Sequence, residues 1–223
     1  MKSTLAPEVR EWAESIIDEF CANGFDEAVK LWKDKTLRDW IDENTSLLDK
    51  YQAEVYNGAS KVCIVFNMEN WVIKTNFQVR NSTKITYGEL EVRNYKLAEE
   101  VGIEKFFVKT YELGWRDEFG MYFYIQEKAA VDSSEVSGRF YDYVSEDYDR
   151  EDFEDEDDYM DAVDERVCEM NEDERLFAVF GCGDDVRALV DFINQWDIND
   201  LHEYNFGISL STGKYLIIDF SGY

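Results

Sequence analysis

Residues 62–66 (VCIVF) and 71–75 (WVIKT) are two apolar runs separated by only the four polar residues NMEN. This spacing predicts two strands, Val62 to Phe66 and Trp71 to Thr75, joined by a tight polar turn. The chain on either side has a different texture. In PEVREWAESIIDEFCANG, the residues Val9, Trp12, Ile16, Ile17 and Phe20 recur on one helical face, with Pro7 near the start and Gly24 at the stop. FDEAVKLWKD and TLRDWIDENTSLLDKYQ keep the same period, so residues 1–55 read as a helical appendage, a cap or scaffold without chemistry of its own. The texture changes at Asn57-Gly58.

Past the hairpin, YGELEVRNYKLAEEVG reads as a helix ending at Gly102, with Leu90, Tyr95 and Leu97 among its apolar residues. FFVKTYELGW and MYFYIQEKA follow as two more strands bridged by RDEFG. The order strand, strand, helix, strand, strand over residues 56–130 implies a mostly antiparallel sheet, and hence an α+β protein. DDVRALVDFINQW reads as a further helix, and YLIID closes the chain as a strand after the turn STGK.

Charge narrows the function. The 223 residues carry 50 acidic and 23 basic side chains, a net of −27. A direct grip on nucleic-acid phosphates needs clustered Lys and Arg, so it is not expected. With 45% hydrophobic and 16% aromatic residues, the chain is too apolar for wholesale disorder. No run of about 18 apolar residues predicts a membrane span, and MKSTLAPEVREWAES lacks a signal peptide's apolar core. A cytoplasmic protein is expected. The cysteines Cys21, Cys63, Cys168 and Cys182 form no CxxC pair and read as free, mostly buried thiols. The single histidine, His202, excludes sites that need two imidazoles. Carboxylates, a lysine and a metal–nucleotide complex remain as chemistry.

About half of the net charge is concentrated in residues 146–175, which hold 17 acidic and 3 basic side chains. Such a run reads either as a solvated loop or acidic helix face, or as a docking surface for a basic protein partner.

The closing segment carries the chemistry. Asp200 and Asn205 stand five apart in DLHEYN, and Asp219 follows 14 residues later in IIDFSG. Phosphoryl transfer asks for one carboxylate near the accepting hydroxyl, with a second carboxylate and an amide holding Mg²⁺. A hairpin with one group before its first strand and another after its second sets both at one edge. Asp219 also follows two isoleucines, an apolar context in which a stray carboxylate would be costly. Upstream, Lys74 ends the strand run WVIK, where an ammonium held by a carboxylate could reach phosphates. Glu91 is the natural partner and Glu89 the fallback. Helical period sets those two about 200° apart, so only one of them can face Lys74.

These segments resemble the protein kinase and aminoglycoside phosphotransferase superfamily, in a minimal bacterial or phage-type form. VIK is similar to the kinase strand-lysine motif, ELEVRNY to the helix bearing the pairing glutamate, and YIQEKA, with Glu127, to the hinge. DLHEYN is similar to the catalytic loop, and IIDFSG to a DFG motif with one serine inserted. The resemblance covers residues 56–223. It implies a minimal kinase-like bilobal fold with an N-terminal helical extension. Residues 56–130 would form the N-lobe, and residues 131–223 a truncated C-lobe containing the acidic insertion. It also implies ATP and Mg²⁺ as cofactors, with Asp200 orienting or deprotonating the acceptor hydroxyl. Lys74 and Glu91 would anchor the phosphates, and Asn205 and Asp219 would bind the metal.

Departures from the pattern are equally specific. In place of a glycine-rich loop, YNGASKV offers only Gly58, leaving Ser60 and backbone amides to cap the phosphates. Asn199, not arginine, precedes Asp200, and the sequence ends four residues after Asp219, leaving no activation loop or peptide platform. His202 reads as a phosphate-facing or loop-ordering imidazole, or as a side chain bonded to its own loop. All five polar groups being present, retained Mg-ATP-dependent transfer to a hydroxyl is expected, and the charge favours a basic protein over an anionic metabolite. A nucleotide-binding pseudokinase acting as an interaction module, and an acidic nucleic-acid mimic, are the alternatives.

Overall fold

The computed structural model describes residues 4–31, 36–58, 61–76 and 85–221. Among these residues, nine α-helices accompany a five-stranded antiparallel sheet and a small three-stranded sheet, an α+β protein. The chain divides into two compact units. The first holds Met1–Glu100 and Val108–Lys128, the second Val101–Phe107 and Ala129–Tyr223.

In the first unit, helices α1 (Pro7–Ala22), α2 (Phe25–Lys30), α3 (Thr36–Glu43) and α4 (Thr45–Tyr51) lead into β1 (Ala53–Asn57), β2 (Val62–Phe66) and β3 (Trp71–Asn76). Helix α5 (Tyr87–Val101) precedes β4 (Thr110–Arg116) and β5 (Met121–Glu127). The strand order is β1-β2-β3-β5-β4, so β5 lies between β3 and β4. Both faces of that central strand are covered, and Met121 through Gln126 are all buried. On one face Met121, Phe123 and Ile125 join Ile64, Phe66, Ile73 and the helical residues Ile16, Ile17, Phe20, Phe25 and Trp40 in one core. On the other, Tyr122 and Tyr124 pack against Val92 of α5. Burying each such large side chain contributes about 1.5–3 kcal/mol, so the N-terminal helices are a full layer of this unit.

Two local features differ from the sequence expectation. The first strand starts at Ala53, before the expected boundary at residue 56, because Gln52 turns the chain out of α4 in a left-handed conformation (φ 47°). AEVYN is a mixed, partly exposed edge strand, which periodicity alone does not mark. The cysteines are free, but only Cys21 is buried, Cys63 is half-buried, and Cys168 and Cys182 are exposed. Cys168 lies on the acidic helix Glu156–Glu169, of which only Val163 is buried, and Cys182 lies in the short loop that precedes Asp184.

The second unit comprises β6 (Ala129–Ala130), α6 (Ser133–Ser145), α7 (Glu156–Glu169), α8 (Glu172–Phe180), α9 (Asp184–Gln195), β7 (Phe206–Ser209) and β8 (Tyr215–Ile217). Its antiparallel sheet runs β6-β7-β8. Phe206 meets Phe140 of α6 and Phe180 of α8, while Phe107 meets Phe192 of α9 and Phe220. The acidic run is helical over much of its length. Asp155 caps α7 by accepting the Asp158 N–H at 3.0 Å, and Glu156, Asp157 and Asp158 occupy its first turn, where the helix dipole favours negative charge. Only Val163 of α7 is buried. Among the described residues no helix is long and apolar enough to cross a membrane.

Candidate active site

The first unit builds its polar centre around Glu91. Alternation along β3 sends Ile73 into the helical-layer core and Lys74 to the opposite face. Lys74 stands across from Tyr124 in the β3–β5 register, and α5 covers that face. Glu91, fully buried, accepts from four side chains. Lys74 Nζ is 3.3 Å and Gln126 Nε2 2.5 Å from Oε1, while Lys61 Nζ is 2.7 Å and the Tyr124 hydroxyl 2.8 Å from Oε2. Gln126 also donates to the Thr110 hydroxyl at 2.9 Å. Two buried lysines therefore converge on one buried carboxylate, whose oxygens are matched by several donors, as burial of such a group requires.

Glu89 is used otherwise. Its carboxylate accepts the Thr86 N–H at 2.8 Å, and its own N–H donates to the Thr86 hydroxyl at 3.1 Å, a reciprocal cap for the start of α5. Gly58 donates its N–H to the Lys61 carbonyl at 2.8 Å and so helps fix where β2 begins. Ser60 lies outside the described residues. Glu127 is held twice by Lys109, whose carbonyl accepts the Glu127 N–H at 2.9 Å and whose ammonium lies 2.8 Å from Oε1. That carboxylate holds the Lys109 pKa above its ordinary value.

In the second unit, Asp200 has a left-handed backbone, φ 68°. Its carbonyl accepts from Asn205 Nδ2 at 2.5 Å and from the His202 N–H at 3.0 Å. His202 Nδ1 accepts the Tyr204 N–H at 3.2 Å, and its Nε2 is 3.9 Å from Asp200 Oδ2, beyond hydrogen-bond reach. The Asn205 carbonyl accepts the Ile218 N–H at 2.9 Å, which ties the loop before β7 to the residue beside Asp219. Phe206 pairs with Ile217, so Asn205 and Asp219 leave the same end of the β7–β8 ribbon. Asp219 Oδ1 accepts from the Ser221 hydroxyl at 3.3 Å. Because Asn205 donates through Nδ2, its Oδ1 is left as the ligand-type oxygen.

Sequence reasoning missed Lys61, Tyr124 and Gln126 around Glu91, and Glu172 and Arg175 beside Asp200. Period-two alternation in MYFYIQE does put Tyr122, Tyr124 and Gln126 on one face, a legible signal. Glu172 was hidden as one of the 17 acidic residues of the 146–175 run. Comparison with family models finds no match, and neither does comparison with curated proteins.

Proposed function

We propose that the chain is a Mg-ATP-dependent phosphotransferase of kinase-like, bilobal type, acting on a hydroxyl of a basic protein rather than on an anionic metabolite. The buried Lys61–Glu91–Lys74 cluster carries this reading. Buried ion pairs add little stability over well-packed apolar groups, so three desolvated charges need another reason to persist. Aiming ammonium groups at anionic phosphates supplies one.

In this reading Lys74, and with it Lys61, anchors the nucleotide's phosphates, with Glu91 holding both. Gly58 would serve the phosphate side, with Ser60 assigned there from the sequence alone, and Glu127 would belong to the segment meeting the nucleoside. Asn205 Oδ1 and Asp219 supply hard oxygen ligands of the kind Mg²⁺ selects, and the ion would offset phosphate charge there. Among the described residues no three His, Cys, Asp or Glu side chains form a metal-holding group. Phosphate oxygens and water would therefore complete the ion's ligand set. Asp200 orients the acceptor hydroxyl and takes its proton as the acceptor oxygen bonds to the γ-phosphorus. The bond to the bridging oxygen breaks, and ADP leaves. The acidic stretch 146–175 attracts a basic partner, and free thiols fit a reducing cytoplasm. Direct nucleic-acid binding forms no part of this reading.

Thermal stabilisation by ATP with and without Mg²⁺ tests it. At a hundredfold excess over Kd, a bound nucleotide stabilises by about 2.7 kcal/mol. A Mg²⁺-dependent shift that weakens in Asp219→Ala is expected, and no shift in either condition would contradict the proposal. A shift without turnover would favour the pseudokinase.

A further inference from the structure

We infer that Glu172, a carboxylate of the acidic stretch, is the positioning residue that holds the Asp200 loop in its working shape, an inference that rests on the phosphotransfer reading. Glu172 Oε1 accepts the Asp200 N–H at 2.9 Å, and Oε2 accepts the Leu201 N–H at 3.0 Å. Two successive amides thus converge on one anion. Such convergence needs alternating backbone hands, and Asp200 supplies the left-handed residue without being glycine. An aspartate seldom rests there unless its surroundings over-determine the conformation. Glu172 does so from outside the loop, where its charge strengthens both bonds.

The same helix grips the loop a second time. Arg175, three residues on and therefore on the same face of α8, donates Nη1 to the Leu201 carbonyl at 3.2 Å. Leu201 itself is fully buried, so the loop is pinned by its amides, its carbonyl and an apolar plug. The platform for this grip is firm. Asn171 and Glu174 cap α8 reciprocally at 3.0 and 2.9 Å, and Asn194 of α9 donates to Asp173 Oδ1 at 3.1 Å. Glu174 is further engaged by Arg166. Neighbouring carboxylates are thus spent on the helix, whereas Glu172 is spent on the loop that presents Asp200.

Residue-resolved amide exchange and steady-state kinetics on the full chain test this with Glu172→Gln and Glu172→Asp. In Glu172→Gln one oxygen becomes an NH₂ facing a backbone N–H. Exchange at Asp200 and Leu201 should accelerate about tenfold or more, while that at Ile73 and Tyr124 stays within about twofold. Turnover should fall about tenfold or more, with KM for ATP within about twofold. Glu172→Asp, one methylene shorter, should recover part of both, and it carries the test if the glutamine variant unfolds. Wild-type exchange at both amides, or faster exchange with wild-type kcat, would overturn the inference. If the unaltered protein transfers no phosphate, the parent reading fails, and the exchange arm alone supports or overturns the brace.

Discussion

Lys61 Nζ and Glu91 Oε2 lie 2.7 Å apart, with the two side chains only 4% and 0% exposed. Glu91→Gln leaves both Lys61 and Lys74 facing an amide in a dry site, and breaking a buried pair in this way costs about 3–5 kcal/mol. Lys61→Met leaves the carboxylate with Lys74, Tyr124 and Gln126 as donors, so its loss should be smaller, about 1–3 kcal/mol. Urea unfolding midpoints at constant m-value measure both. Equal losses, or a neutral Glu91→Gln, would contradict the picture of one carboxylate serving two lysines.

Gly88 lets α5 approach the tyrosine face of β5. A Cβ there would stand 2.9 Å from Tyr124 Cε1 and 3.1 Å from Tyr122 Cδ1, and both rings are buried. Gly88→Ala should destabilise by about 1–3 kcal/mol through overpacking. It should also move the Tyr124 hydroxyl off Glu91. Gly138, within α6, has open space around it. Gly138→Ala should therefore stabilise by about 0.5–1 kcal/mol. Thermal unfolding of the two variants should give shifts of opposite sign, and matching signs would contradict the packing described.

Cysteine reactivity should divide by depth. Burial, reinforced by the negative charge of Asp26, pushes the Cys21 thiol up to about 12. Cys168 and Cys182 are exposed. Alkylation at pH about 8, followed by mass spectrometry, should label Cys168 and Cys182 at least about tenfold faster than Cys21. Rapid labelling of Cys21 in the folded protein would show that the α1 core opens far more readily than its packing implies.

Much of this architecture was legible in the residues themselves. The runs around NMEN give β2 and β3, and helical spacing of Val186, Leu189, Val190 and Ile193 gives α9. Half a turn of α5 separates Glu91 from Glu89 by role, one reaching Lys74 and the other capping its helix. Other parts are set by tertiary placement. Val136, Phe140 and Val144 are four apart, yet Gly138 and interspersed serines obscure α6. Lys61 looks like an ordinary polar strand end until the register puts β2 beside β3. Glu172 is chemically indistinguishable from its acidic neighbours, because only the folded path of residues 200–201 gives it two amides to hold.

Transfer of label from γ-labelled ATP with Mg²⁺, counted on added basic proteins, on an aminoglycoside and on the chain itself, tests the central claim most directly. The account predicts incorporation that falls about a hundredfold or more in Asp200→Ala, the usual scale for losing a positioned acid–base group. Incorporation no higher than the blank, or equal in the two proteins, would contradict it.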